Sequence, residues 1–384
     1  MRNRSHTVLL SGVVAVTAIC ATRSLGAQAA KAPAQTPAKA PARAAAGHQL
    51  TADRHPDFQG VYDVATTTPL ERPAEAKGRP TLTNEEAAAA EAYDRQHEAQ
   101  DAAPLSGDRQ APAVGGERVA TKTWLEVVEQ FAGGGTGGYN RFWLEQGRQI
   151  ISVDGQKRSS ILIDPPDGKV PAMKPEARQR IARLRAAAVD PSAGEGNTAS
   201  GPPGAFDGPE SRPLAERCLL GFNSTAGPPS LPNYFYNNLK QIVQTADTVM
   251  ILNEMVHDAR LVRIGGKHLP STIRRWMGDS IGWWEGDTLV VDTTNFTDKT
   301  QFNGASEQLH VVERIRRVDA GTLLYRFTIE DPATWDRAWT GEYPWRATRE
   351  QLYEYACHEG NYAMTNMLRG ARFKEAEDAA KKQE

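Results

Sequence analysis

Three short segments of this 384-residue chain concentrate residue types able to move protons. The first is the run Leu309 to Val318. Side chains of a β-strand alternate between faces, so Leu309, Val311, Glu313 and Ile315 share one side while His310, Val312, Arg314 and Arg316 share the other. The Glu313 carboxyl is thereby placed among apolar neighbours. Burial disfavours the charged form of a carboxyl and lifts its pKa toward the range of a general acid or base. A structural ion pair with a neighbouring arginine accounts for the same pattern. The other two segments are His257-Asp258-Ala259-Arg260 and Cys357-His358-Glu359-Gly360-Asn361. Each follows a predicted strand, where a rigid sheet presents loop side chains. A histidine with a carboxylate partner shuttles protons near neutral pH; hydrogen bonding within the loop is the plainer role. The candidate catalytic set is therefore His257, Asp258, Arg260, Glu313, His358 and Glu359.

Other chemistries are less well supported. His257, Asp258, His268, His310, His358 and Glu359 are enough residues for a zinc or iron site, but no spacing fixes them and no HExxH helix is present. His310 and Glu313, three apart, point to opposite faces of a strand. Neither a metal nor an organic cofactor is expected. No GxSxG occurs, and Gly278-Asp279-Ser280-Ile281-Gly282 lacks the nucleophile-elbow pattern. Gly133 to Gly138 lacks the Lys-Ser/Thr of a phosphate loop and predicts a hinge. Trp276, Trp283, Trp284, Trp335, Trp339 and Trp345 crowd one stretch, where aromatic rings commonly fill a barrel. Adjacent Trp283 and Trp284 face opposite sides of a regular strand, so the outward ring needs a cover, a partner or a ligand. Trp276, Trp283, Trp284 and Tyr325 are the candidate ligand-contacting aromatics.

The elements that must position these residues are mostly strands. Pro56 to Tyr62, Tyr139 to Leu144, Arg148 to Val153 and Ser160 to Asp164 predict strands in the first half. From Gln241 onward come Met250 to Leu252, Leu261 to Ile264 and Asp287 to Thr294, the last preceded by the turn Glu285-Gly286-Asp287. Leu309 to Val318 and Thr322 to Glu330 form a hairpin across Asp319-Ala320-Gly321. Helices are few. Thr83-Asn84-Glu85-Glu86 is a capping box leading into a surface helix that runs toward Gln100. Pro175 to Ala188 starts with proline in the first turn, and Tyr362 onward predicts a charged helix or tail. Residues 189 to 213 predict a long loop. The strands do not alternate with helices, which disfavours Rossmann and TIM architectures. The expected fold is mainly β with peripheral helices (α+β), its sheet an antiparallel barrel or sandwich. It occupies one domain over 56–365, with a charged tail at 366–384.

Several motifs resemble a family of secreted bacterial proteins without an assigned function. They are Arg217-Cys218, Tyr236-Asn237-Asn238, Glu254-Met255-Val256-His257-Asp258-Ala259-Arg260, Trp276-Met277-Gly278-Asp279-Ser280, Trp284-Glu285-Gly286-Asp287-Thr288-Leu289-Val290-Val291 and Glu354-Tyr355-Ala356-Cys357-His358-Glu359-Gly360-Asn361. Phe58 to Tyr62 and Pro69 to Pro73 resemble its opening segment. Trp283 departs from the pattern, which has a basic or small residue there. The resemblance implies no reaction.

The N-terminus predicts export. Arg2 and Arg4 precede the apolar run Val8 to Ala21, which Arg23 ends before it is long enough to span a bilayer. Ala27-Gln28-Ala29 offers a cleavage site after Ala29; an uncleaved anchor and a lipoprotein through Cys20 are the alternatives. Residues 30–55, largely Ala, Pro and Lys, predict a disordered linker. Cleavage would leave 42 basic and 47 acidic residues. That balance lacks the basic excess nucleic-acid binding needs. It would also leave Cys218 and Cys357 as an even pair, expected to form a disulfide in an oxidising compartment; buried thiols or a thiolate nucleophile remain the alternatives. No later segment is long and apolar enough to cross a membrane, and the oligomeric state is open. The leading expectation is a periplasmic or secreted β-rich protein enclosing a small, partly apolar molecule. The alternatives are a cofactor-independent lyase, isomerase or hydrolase, and an envelope structural or interaction protein.

Overall fold

From Leu239 onward the chain is a succession of apolar runs punctuated by Gly, Asp and Asn, and nearly every run becomes a strand. A computed structural model describes residues 50–101, 147–187, 206–212, 214–221, 227–233, 236–298 and 302–382. The expected signal segment, the glycine-rich hinge, the strand at 139–144 and most of the loop at 189–213 lie outside the described residues. Thirteen strands are present among them: β1 Gly60–Asp63, β2 Thr81–Leu82, β3 Ser152–Val153, β4 Gln156–Arg158, β5 Leu162–Asp164, β6 Leu239–Gln244, β7 Thr248–Asn253, β8 Ala259–Ile264, β9 Asp279–Glu285, β10 Thr288–Thr294, β11 His310–Asp319, β12 Thr322–Glu330 and β13 Trp339–Thr348. Three helices accompany them: α1 Asn84–Asp101, α2 Pro175–Ala187 and α3 Tyr362–Lys381.

The fold is mainly β, a closed barrel of nine strands with a few helices. Strands β6 to β13 pair in sequence order, and β1 closes the ring by pairing with both β6 and β13. Tyr62 is the hinge of that closure, opposite Lys240 on one side and Ala347 on the other. Closure removes the exposed edges an open sheet would carry. The ladder is antiparallel except between β8 and β9, which run parallel. The small sheet β2–β4–β3 is separate, and β5 pairs with the start of β13 along the edge that β1 uses at its end.

The inner wall follows the alternation of side chains. Val311, Glu313 and Ile315 of β11 point inward and are fully buried, opposite Ile329, Phe327 and Tyr325 of β12. Trp339, Tyr343 and Trp345 of β13 complete this aromatic side, with Tyr325 stacked on Trp345 at 4.7 Å between centroids. Gly341 lies opposite Phe327, and a Cβ there would meet the ring at 2.3 Å. At this position glycine is what lets the ring fill the barrel.

Strands β9 and β13 escape a pattern-based search. The first carries Gly282 in its centre, and the second carries both Gly341 and Pro344, residues that normally interrupt strands. The strand expected at 148–153 shrinks to Ser152–Val153. The helix expected from the capping box forms as α1: Glu86 donates its N–H to Thr83 Oγ1 at 3.1 Å, and Thr83 donates its own to Glu86 Oε2 at 2.8 Å. Cys218 and Cys357 are joined in a disulfide, 139 residues apart in sequence and 5.8 Å apart at Cα. Among the described residues no helix is long and apolar enough to cross a membrane.

Candidate functional site

Three consecutive strands place polar side chains at one end of the barrel interior. Lys240 enters from β6 on the face that also carries Ile242, and it is fully buried. Asn253, the last residue of β7, is its cross-strand partner. Arg260 follows from β8 on the same face as Val262. The link between β7 and β8 is tight: Asn253 and Asp258 are joined by backbone hydrogen bonding at 2.8 Å, and the Asn253 amide also donates to Asp258 O at 3.2 Å. The reversal forces Val256 and His257 into left-handed backbone, φ 59° and 48°. A β-branched residue there is strained by about 1–3 kcal/mol, a cost that concentrates at functional sites.

Across the interior, Arg260 is forked onto Glu313. Its Nη1 donates to Glu313 Oε2 and its Nη2 to Oε1, the latter at 2.8 Å, with both residues at most 3 % exposed. The Tyr325 hydroxyl donates to Glu313 Oε1 at 2.6 Å and accepts the Ser230 N–H at 2.8 Å. Tyr343 donates to the Ser230 carbonyl at 2.5 Å. The segment 227–233 is thus pinned to the barrel interior through two tyrosines. Burial drags Arg260 down, but the Glu313 charge outweighs it and holds the guanidinium protonated. Burial, and then the Glu313 charge, push the Tyr325 hydroxyl well above its usual pKa.

Around this paired core lie polar atoms with no hydrogen-bond partner among the described residues. Buried polar atoms normally find one. Lys240 Nζ, Asn253 Oδ1, Asp258 Oδ2, Arg260 Nε and Ser230 Oγ do not. Burial lowers the Lys240 amine to about 7, against the raising charges of Glu254 and Asp258. Burial raises the Asp258 carboxyl to about 7, against the lowering charge of Lys240. An amine and a carboxyl that each feel the other's charge are thus poised to exchange a proton near neutral pH.

Of the residues singled out from sequence, Asp258, Arg260, Glu313 and Tyr325 come together in this cluster. His257, His358 and Glu359 do not; all three are exposed, His358 and Glu359 beside the disulfide at Cys357. Trp276 is half-buried and Trp283 is 38 % exposed, with its indole N–H donating to Glu285 at 3.0 Å. Trp284 points the other way and packs on the core, covered by His55 stacked at 4.5 Å. His55 belongs to a turn closed by hydrogen bonds between Thr51 and His55, in a stretch whose composition predicted a linker. Lys240, Asn253, Ser230 and Tyr343 were not singled out. Alternation in β6 could have found Lys240 on the face of Ile242, but the adjacent Val243 makes the period ambiguous, and nothing local announces Ser230 inside a barrel.

A second polar array lies on the outer face of β8 to β11, joined by His268 from the loop between β8 and β9. His268 and His310 each hold one oxygen of Asp292 through Nε2, both at 2.8 Å. The other His268 nitrogen faces Asp279 at 3.1 Å, and Asp279 also takes the Arg263 guanidinium at 2.8 and 3.0 Å. Burial raises Asp292, yet hydrogen bonds from His310 and His268 hold it below the usual carboxylate value. Among the described residues no group of three His, Cys, Asp or Glu is placed to hold a metal ion.

An open cavity of about 210 Å³ lies elsewhere, outside the barrel, between the small sheet and β5. The interior cluster itself is close-packed beneath segment 227–233. No protein-family model matches the chain, no curated protein matches it, and no solved structure matches its fold.

Proposed function

We propose that this is an exported barrel that encloses a small, partly apolar molecule, with the polar end of that molecule held by Lys240, Asn253, Asp258 and Arg260. The observation that carries the reading is the convergence of unpartnered buried polar atoms from these residues and Ser230 on one interior end. A buried amine without a partner costs stability. Such costs are retained where binding or catalysis requires them. For the apolar part of the ligand to lie along the aromatic wall of β12 and β13, segment 227–233 must lift, releasing the Ser230 hydrogen bonds to Tyr325 and Tyr343. Export is supported by the charged-apolar-small pattern of the N-terminus and is compatible with the disulfide.

The convergence of Lys240 and Asp258 on a pKa of about 7 favours a second reading, acid–base catalysis on the enclosed molecule. In it the neutral amine takes a proton from the substrate, the protonated carboxyl returns one, and Arg260 steadies developing negative charge.

The test is thermal unfolding of the wild type and Lys240→Met against a panel of small amphiphiles ending in hydroxyl or carbonyl groups. At least one should raise the wild-type midpoint, and Lys240→Met should lose that shift while being more stable without ligand. A panel that moves neither protein, or moves both equally, would overturn the assignment.

A further inference from the structure

We infer that the cavity on the outer flank is a separate binding site for a small organic carboxylate, built around Arg72 and Arg158. Arg72 is 3 % exposed. Its guanidinium donates only to neutral acceptors: Ser159 Oγ at 3.2 Å, the Gly78 carbonyl at 3.1 Å and the Pro166 carbonyl at 2.6 Å. No carboxylate pairs with it among the described residues, and its Nη2 donates to none of them. A buried guanidinium without a counter-charge is unusual, because desolvation is normally offset by an ion partner. The backbone is shaped to hold it there: Gly168 sits at φ 68°, and a Cβ on it would lie 2.9 Å from the guanidinium.

Arg158 lines the same cavity, and its buried Nε has no hydrogen-bond partner among the described residues. Its Nη2 reaches Glu342 at 3.3 Å, but Glu342 is held more closely by Arg326, at 2.9 and 2.6 Å. Of the nearby carboxylates, Glu86 is engaged by Arg79, Asp164 by Arg337 and Glu71 by Lys169, while Asp167 is exposed and accepts the Lys169 backbone N–H. The cavity therefore carries net positive charge from two planar donors suited to forked recognition of an oxyanion.

The rest of the lining decides between oxyanions. Pro80, Leu162, Ile163 and Pro166 are apolar, and Ser160 spends its hydroxyl on the Leu162 carbonyl. A fully hydrated anion such as phosphate would gain nothing from those walls, whereas a carboxylate with a short hydrocarbon or aromatic tail would bury it against them. The volume of about 210 Å³ falls below the roughly 300–1,000 Å³ of sites for drug-sized ligands, so the ligand is a small acid.

Isothermal titration of the whole exported chain with butyrate, benzoate, inorganic phosphate and n-butanol tests this. Butyrate or benzoate should bind saturably and n-butanol should not. Arg158→Gln should weaken that binding roughly ten- to a hundredfold, the worth of hydrogen bonds to a charged group. Ile163→Trp, which fills the cavity and keeps both arginines, should abolish it. Lys240→Met should leave it unchanged, which separates this site from the barrel interior. No saturable binding of either acid, or full affinity in a folded Arg158→Gln or Ile163→Trp protein, would overturn the site. Phosphate binding as tightly as the acids would overturn the assignment to an organic carboxylate.

Discussion

Replacing Glu313 by glutamine keeps the volume of the side chain and removes the carboxylate that Arg260 is forked onto across the barrel. Arg260 is 3 % exposed and is held charged, so it cannot escape the loss by deprotonating or by reaching water. Two charge-assisted hydrogen bonds weaken, the new amide nitrogen opposes a donor with a donor, and Tyr325 loses an anionic acceptor. Breaking a buried pair from one side costs about 3–5 kcal/mol. At about 2–4 °C per kcal/mol for a large domain, the midpoint of thermal unfolding should fall by about 6–20 °C. Denaturant unfolding with the disulfide intact measures the same loss as a lower midpoint concentration. The double variant Arg260→Met/Glu313→Leu should recover most of the stability, because a buried ion pair replaced whole by apolar groups is often neutral or stabilising. A single variant within about 1 kcal/mol of wild type would refute the reasoning. So would a double variant as damaged as the single.

The outer array predicts a pH dependence. Hydrogen bonding to Asp292 raises the His310 pKa above its usual 6.5, against burial. The stabilisation is therefore complete below that value and is lost as pH rises through the higher folded pKa. Unfolding free energies measured from pH 6 upward should fall across this window, and less steeply in Asp292→Asn. Replacing both Cys218 and Cys357 by alanine should cost about 4–5 kcal/mol, since the bond closes a loop of 139 residues in the unfolded chain, and reduction of the wild type should reproduce the loss. Gly341→Ala should cost at least about 1–3 kcal/mol through overpacking against Phe327, visible in the unfolding midpoint. Phe327→Leu in the same chain should relieve part of it.

Much of the fold was legible because the sequence alternates cleanly where the barrel wall is regular. The hairpin of β11 and β12 is the clearest example, and the inward aim of Glu313 follows from its place between Val311 and Ile315. Arg260 was marked by its motif, but nothing local said that it would cross the barrel to meet Glu313. That pairing depends on β8 and β11 facing each other across a closed ring, a long-range fact with no sequence period. Lys240 was hidden for a similar reason: a lysine between Leu239 and Gln241 looks like part of a solvated strand until closure by β1 buries it. The histidines misled in the opposite direction. His257 and His358 have the right chemistry in the sequence, yet strained backbone and the disulfide hold them on the surface, while His268 and His310, far apart in the chain, share Asp292.

Native mass spectrometry of the protein purified from a host that exports it addresses the enclosed molecule most directly. Wild type should retain a bound small molecule through gentle desolvation, and Lys240→Met, folded and disulfide-bonded, should emerge without it. Bare polypeptide mass for the wild type, with no ligand regained from a host extract, would contradict the account of the barrel interior.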